Sequence, residues 1–294
     1  MDLRQLEYFI AVAEERSFSR GADRAHVVQS AVSTAVAKLE RELDIQLLDR
    51  AAYPVALTPA GTAFLSEARA TLAAARRAKN IVAPYRGQLS GRVDVGTLMS
   101  SGPVDLPAAL GRFHARYPLV SVRLRQSVAG TAGHLRAIAD GTLDLALVAA
   151  PAPAPANVAL RTIAQEQLVL LCRPDHRLGG RDRVDVSDLA AETVIRFAAG
   201  WGIRRQADDA FTAAGITPDT PYEVSDYDTA AGLVRNRLGV TLLPATPAGR
   251  YPDLRAVAVK PATTWTLALA TPAQLPPSAA AAALAETLLD EGRC

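Results

Sequence analysis

The 294-residue chain has two cysteines and no metal-ligand spacing between them: Cys172 sits in an apolar run and Cys294 is the last residue. That is no disulfide framework, and Cys172 is expected in a core rather than as a redox centre. The chain also lacks an excess of either charge. Its 32 Lys+Arg against 30 Asp+Glu leave a net of +2, so no global field argues for nucleic acid. The N-terminus MDLRQLEYF has no charged segment followed by an apolar one, so no export signal is expected. The uncharged stretch at residues 266–285 is interrupted by Pro272, Pro276 and Pro277 and gives no membrane span. Catalytic signatures are missing too. GxSxG, HExxH, CxxC and a Walker loop are absent, and Gly200-Trp201-Gly202 lacks the third glycine of a dinucleotide fingerprint. His26, His114, His134 and His176 are scattered. No enzyme, metal or cofactor is expected, and the location is expected to be cytoplasmic.

What is present begins with residues 17–43, SFSRGADRAHVVQSAVSTAVAKLEREL. Phe18, Ala22 and Ala25 suit the inner face of a short helix, and Val28 a turn. Val32, Val36, Leu39 and Leu43 then recur at spacings of four, three and four, the helical period. Ser17 or Ser19 suits the cap of the first helix and Ser30 that of the second. Opposite the apolar stripe lie Gln29, Ser30, Ser33, Thr34 and Lys38, side chains that pair with base edges and phosphates. An ordinary pair of packed helices has the same pattern, so the neighbours decide. Residues 2–15 read as a preceding helix with Leu3, Leu6, Ile10 and Ala13 on one face. Residues 45–48 and 55–58 suit two short strands of a wing turning at Ala51 to Pro54, and Thr58 caps a helix with Pro59 at its first position.

Residues 1 to 65 resemble the winged helix-turn-helix of LysR-type transcriptional regulators. The residues that carry the resemblance are Leu6, Tyr8-Phe9, Ala13-Glu14, Ser17-Phe18, Ala22, Gln29, Ser33, Leu39-Glu40, Leu43, Leu47, Arg50 and Leu57-Thr58-Pro59-Ala60-Gly61. The chain departs from the family pattern at Gly21, usually Ala, which costs a helix interior up to about 1 kcal/mol. Ser30 replaces the usual Pro, Thr34 the frequent Arg or His, Asp44 the usual Gly and Leu48 the usual Phe. The resemblance implies double-stranded DNA as a partner, held by Gln29, Ser30, Ser33, Thr34 and Lys38, with the wing near Arg50 at the backbone. Residues 1–65 hold seven Lys/Arg against nine Asp/Glu, a net of −2, so the few cations must be well placed; Arg20, Arg24, Lys38 and Arg50 are the candidates.

Residues 59 to about 86 read as one long helix. Leu65, Leu72 and Lys79 stand seven apart with Ala68, Ala75 and Val82 between them, a heptad seam that suits pairing of two chains; packing on its own domain is the other reading. Pro84 and Gly87 end it. From Arg92 onward strands alternate with helices, which predicts mainly parallel α/β sheets. This half resembles the effector-binding part of the same family, built like a periplasmic binding protein. Its markers are Leu106-Pro107, Phe113, Tyr117-Pro118, the run Gly141 to Ala146, Leu233-Val234, Gly239-Val240 and Leu243-Pro244. The resemblance implies crossovers near Ala164 and Thr266, and a dimer of dimers. The expected organisation is an all-α winged helix-turn-helix at 1–58, a linker helix at 59–87 and an α/β effector domain at 91–294. Within the last, subdomain I covers 91–164 and 266–294, and subdomain II covers 165–265.

Open α/β sheets bind ligands at the carboxyl ends of their strands. Three strand-to-helix loops qualify, and they nominate Ser100, Ser101 and Thr131 as hydroxyl donors, with Phe197 and Trp201 as apolar walls. Asp226 is nominated as an acceptor. Free N–H groups at helix starts favour a small anion, so the effector is expected to be a small organic acid. The function that follows is a DNA-binding regulator governed by that effector. The alternative, which the second half alone permits, is a solute-binding protein of periplasmic-binding fold.

Overall fold

The computed structural model describes residues 1–81, 89–99, 102–151, 153–274 and 276–291. Ser100, Ser101, Val82, Pro84, Gly87 and Cys294 lie outside the described residues. The chain divides into two compact units, residues 1–82 with 140–142, and the remainder.

In unit 1, α1 (Leu3–Glu15) is capped by Asp2, whose carboxylate accepts from Gln5 N while the Gln5 side chain accepts from Asp2 N. Next come α2 (Phe18–Ala25) and α3 (Gln29–Leu43), then β1 (Leu48–Asp49), β2 (Ala56–Leu57) and α4 (Pro59–Ile81). Leu6, Phe9, Val12, Ala22, Val32, Val36, Leu39, Leu47 and Leu48 form the core. Leu3 and Leu43, expected inside, are exposed, and so is Val28 at 69 %. Val28 lies in the turn itself, ahead of the stripe that faces the core. Ser17 caps α2, as the sequence allowed. Ser30 does not cap α3: the helix starts one residue earlier, Val28 holds the cap position, and no side chain caps it. Gly21 also finds its reason here. A Cβ there would lie 3.0 Å from the Val12 Cα, so the cost to the helix is offset by close approach of α2 to α1. Thr58 caps α4 by accepting from Gly61 N at 2.9 Å. Ala68 is buried, and the half-buried Leu65 and Leu72 pack against the core of their own unit, the other reading that the sequence left open for this seam.

Unit 2 contains β3 (Gly91–Gly96), α5 (Leu106–Arg116), β4 (Val120–Arg125), α6 (Gly130–Ala139), β5 (Leu145–Ala149) and β6 (Val158–Cys172). These are followed by β7 (Arg183–Asp185), a 3₁₀ turn at Val186–Ala191, β8 (Arg196–Phe197), α7 (Gly202–Ala213), β9 (Glu223–Val224) and α8 (Tyr227–Arg235). The chain closes with β10 (Thr241–Pro244), α9 (Ala245–Ala248), β11 (Arg255–Lys260), β12 (Thr264–Pro272) and α10 (Ala279–Glu291). The main sheet runs β4-β3-β5-β12-β6-β11-β7, with β10 also on β6. β3 pairs in parallel with β4 and β5, as expected. Every partner of β6, however, is antiparallel: β12, β10 and β11. The expectation of a mainly parallel sheet therefore fails around this strand.

β6 is one continuous 15-residue strand. Its first part pairs with β12, and its last part pairs with β10 and β11, so it is shared by two lobes. The crossover is stitched by Gln165 Nε2 to Thr266 Oγ1 at 3.3 Å and Gln167 Nε2 to Thr264 Oγ1 at 3.2 Å. Cys172, at the end of β6, is fully buried beside Val184, Leu189 and Val257.

Candidate DNA interface and ligand cleft

Gln29, Ser30, Thr34 and Lys38 are exposed on α3 and Ser33 is half-buried, opposite the buried Val32, Val36 and Leu39. The structure thus brings these predicted residues to one face. Ser19 Oγ lies 2.9 Å from Gln29 Oε1 and steadies that amide across the turn. The predicted cations are less free than expected. Arg20 contacts Glu15 at 4.0 Å, Arg24 contacts Glu14 at 2.5 Å and Glu15 at 3.1 Å, and Lys38 contacts Glu42 at 3.9 Å. Arg50, expected at the DNA backbone, is folded back: it bonds Glu40 at 2.9 Å and Ser33 Oγ at 3.5 Å, and lies 5.0 Å from the Phe18 ring centroid. Its partners come from ten and seventeen residues earlier in the chain, so its sequence position alone suggested a free wing cation. Glu14 takes Arg69 as well, at 2.7 Å. Burial raises its carboxyl, but Arg69 and Arg24 outweigh that and hold it below the usual range.

In unit 2 a cavity of about 230 Å³ opens at the carboxyl ends of β3, β4 and β5, between the two lobes. Thr97, Leu98 and Met99 line it after β3, and Gln126, Ser127, Val128, Gly130 and Thr131 between β4 and α6. Ala149 ends β5 there. Trp201, Gly202 and Ile203 at the start of α7, with Ser225, Tyr227 and Trp265, complete the wall. Among the described residues no charged side chain lines it. The starts of α6 and α7 reach the cavity together, and helix starts carry N–H groups without an intrahelical partner. The start of α7 can approach the end of β5 because Gly202 has no side chain: a Cβ there would fall 2.1 Å from that of Ala149.

The predicted ligand residues separate into two groups. Thr131 and Trp201 line the cavity. Thr131 Oγ1 accepts from Ala149 N at 3.1 Å, which leaves its hydroxyl hydrogen to donate. Phe197 does not reach the cavity: it is buried behind Trp201, rings 6.3 Å apart and 22° from parallel, with Tyr227 edge-on at 5.2 Å. It acts through the rings it supports. Asp226 is a correction. Its carboxylate accepts from Thr229 N at 2.6 Å and caps α8, so the flanking Ser225 and Tyr227 line the cavity instead. Burial, with the Glu166 carboxylate nearby, pushes the Tyr227 phenol upward, so it stays protonated as a donor. Tyr227 and Trp265 were missed; the signal for Trp265 was its place on the crossover strand. His134, buried on α6, donates from Nε2 to the Thr97 carbonyl at 2.9 Å and holds the wall after β3.

Residues 3–62 match the family described as bacterial regulatory helix-turn-helix protein, lysR family, and residues 86–293 match the LysR substrate binding domain. The hydrogen peroxide-inducible genes activator of Pectobacterium carotovorum subsp. carotovorum is 33 % identical over 245 residues, covering 83 % of this chain and 80 % of the relative. A full-length OxyR variant from Pseudomonas aeruginosa superposes with a TM-score of 0.73 at 25 % identity, covering 98 % of each chain. Full-length CbnR complexed with its target DNA gives 0.68 at 26 % identity, covering 99 % of this chain and 100 % of that one. Nothing in these matches favours a solute-binding protein of transport. Among the described residues, no helix is long and apolar enough to cross a membrane. The chain belongs to the LysR family of DNA-binding transcriptional regulators, with a helix-turn-helix at its N-terminus and an effector-binding domain of two subdomains behind it.

Proposed function

We propose that the chain is switched by a small organic acid with an apolar or aromatic body, bound in the cavity between the lobes. The observation that carries this reading is the lining. Leu98, Met99, Ile203, Trp201, Tyr227 and Trp265 supply apolar and aromatic wall, while the Thr131 hydroxyl, the Tyr227 phenol and the start of α7 supply donors beside the uncharged Gln126, Ser127 and Ser225. A carboxylate is held by hydroxyls and helix N–H groups without a counter-cation. Ligand touching both lobes biases their relative position, a population shift rather than catalysis. The lobes proposed are residues 91–164 with 266–294, and 165–265. Gln29, Ser30, Ser33, Thr34 and Lys38 face the major groove, the outward side of α4 meets a second copy, and the protein works in the cytoplasm.

A peroxide response like that of the Pectobacterium relative is not proposed for Cys172. Burial, with Glu192 nearby, pushes its thiol up to about 11, so the reactive thiolate is scarce at neutral pH.

A thermal-shift screen of organic acids on the full chain tests the reading. An acid that binds the folded state at a hundredfold excess over Kd stabilises it by about 2.7 kcal/mol. The hit should shift Thr131→Val much less than the parent; an equal shift would remove the site from this cavity.

A further inference from the structure

The cations proposed from sequence to meet DNA are all engaged with carboxylates, which raises the question of what in unit 1 is free to hold a phosphate. A groove of about 550 Å³ lies between α1 and the end of α2 with the turn that follows. Arg4, Glu7 and Tyr8 line one side, and Arg24 and Val27 line the other. Arg4 is exposed and has no ion pair or hydrogen bond with any described residue. It contrasts with Arg24 across the groove, which Glu14 and Glu15 hold. Tyr8, 9 % exposed as a residue, lines the groove, and its hydroxyl makes no hydrogen bond with a described residue, so it is free to donate there. With Arg24 paired to Glu14 and Glu15, Arg4 is the cation of the groove lining without a carboxylate partner among the described residues.

Position adds a second, independent argument. Val27 lies two residues before Gln29, where the exposed polar face of α3 begins. No side chain caps α3, so its first-turn N–H groups and positive dipole end remain open beside the groove. A duplex read by α3 runs its backbone past this point.

We infer that Arg4 and Tyr8 form a clamp for one DNA backbone phosphate, with Arg4 supplying the charge-assisted N–H donors and Tyr8 an O–H donor. This rests on α3 being the reading helix. The clamp carries no base information, so it sets affinity and register on every sequence alike.

The test is fluorescence anisotropy of the full-length chain across a salt series, on a random-sequence duplex and on one the chain has selected from a random pool. Arg4→Gln should weaken both by the same factor and lower the slope of log K against log salt by about one. Arg4→Lys should keep the slope. Tyr8→Phe should weaken both duplexes and leave the slope alone, because it removes a hydroxyl and no charge. Since Arg4 has no partner among the described residues, Arg4→Gln should melt with the parent. An unchanged affinity and slope in Arg4→Gln overturns the clamp, and so does a loss on the selected duplex alone, which would make Arg4 a base reader. If Gln29→Ala loses discrimination as expected while Arg4→Gln changes nothing, only the clamp falls. If the parent binds neither duplex, the reading of α3 falls with it.

Discussion

Glu40 and Arg50 tie the segment around β1 to α3. Glu40 Oε2 accepts from Arg50 at 2.9 Å, and Oε1 accepts the backbone N–H groups of Leu47 and Leu48 at 2.9 and 3.1 Å. The Glu40 side chain is 10 % exposed, so those N–H groups have little water to turn to. Hydrogen bonds to a charged group stabilise by about 1.5–3 kcal/mol each, and stranded donors cost about 1–3 kcal/mol. Glu40→Ala should therefore lower urea stability by at least about 2 kcal/mol. Arg50→Ala should weaken DNA binding through a looser Ser33 and wing, with a salt slope like the parent's. A slope lower by about one in Arg50→Ala would return that residue to the phosphate backbone.

Base reading is expected to centre on Gln29, steadied by Ser19. Gln29→Ala should cost about 1–3 kcal/mol on the selected duplex, little on random DNA, and nothing in stability, since the side chain is exposed. Ser19→Ala should give a smaller loss in the same direction. Equal losses on both duplexes would show that Gln29 touches only phosphate.

The inward packing of Leu72 changes how assembly must be tested. Leu72→Glu buries a charge against the core of unit 1 and should destabilise the chain whatever its oligomeric state. Ala74, exposed on the other side of α4, is the discriminating position. Ala74→Glu should lower the sedimentation mass and operator affinity while leaving the melting temperature of dilute protein near the parent's. Unchanged mass would place the pairing surface elsewhere.

His134 predicts an acid limit. Burial lowers its pKa, and the bond to the Thr97 carbonyl, which raises it, does not compensate. The free-chain value is about 6.5. A folded value depressed below that means the stabilising effect is complete above about pH 6.5 and is lost as pH falls toward the folded value, because only the unfolded chain takes up the proton. Thermal stability and effector affinity should both decline as the pH falls below about 6.5. His134→Gln should flatten that decline at some cost in stability at neutral pH. If the variant declines as steeply as the parent, another group sets the limit.

The contrast between residues that were legible and those that were not is physical. The stripe Val32, Val36, Leu39 was readable because a helix repeats its buried face every turn. The continuity of β6 is hard to read because Gln165-Glu166-Gln167 interrupts its apolar pattern where the strand leaves one lobe's core for the other's. β11 is no easier to read although its burial alternates, because Arg255 and Lys260 give it the look of a loop. Thr131 and Trp201 were found by their place after strand ends. Asp226 was misassigned because a helix cap and a ligand acceptor are the same residue type in the same kind of loop, and only the bond to Thr229 separates them.

The contact between Gly202 and Ala149 gives the sharpest test of the cleft, because it joins the lobes at the wall of the cavity. A methyl group on Gly202 would meet the Ala149 Cβ at 2.1 Å, well inside van der Waals contact. Neither residue can swing aside, since one begins α7 and the other ends β5. The crossover strands, stitched by two side-chain hydrogen bonds, offer the easier response: the lobes part. Gly202→Ala should thus fold, with each lobe's core intact, but bind any hit from the acid screen at least tenfold more weakly. The readout is intrinsic: the chain's two tryptophans, Trp201 and Trp265, both line the cavity. Parent fluorescence should change on adding the acid, and Gly202→Ala should start from a different emission maximum and respond only at higher concentration. Parent-like emission and affinity in the variant would mean that the two lobes already tolerate that separation, and that closure at this contact does not govern binding.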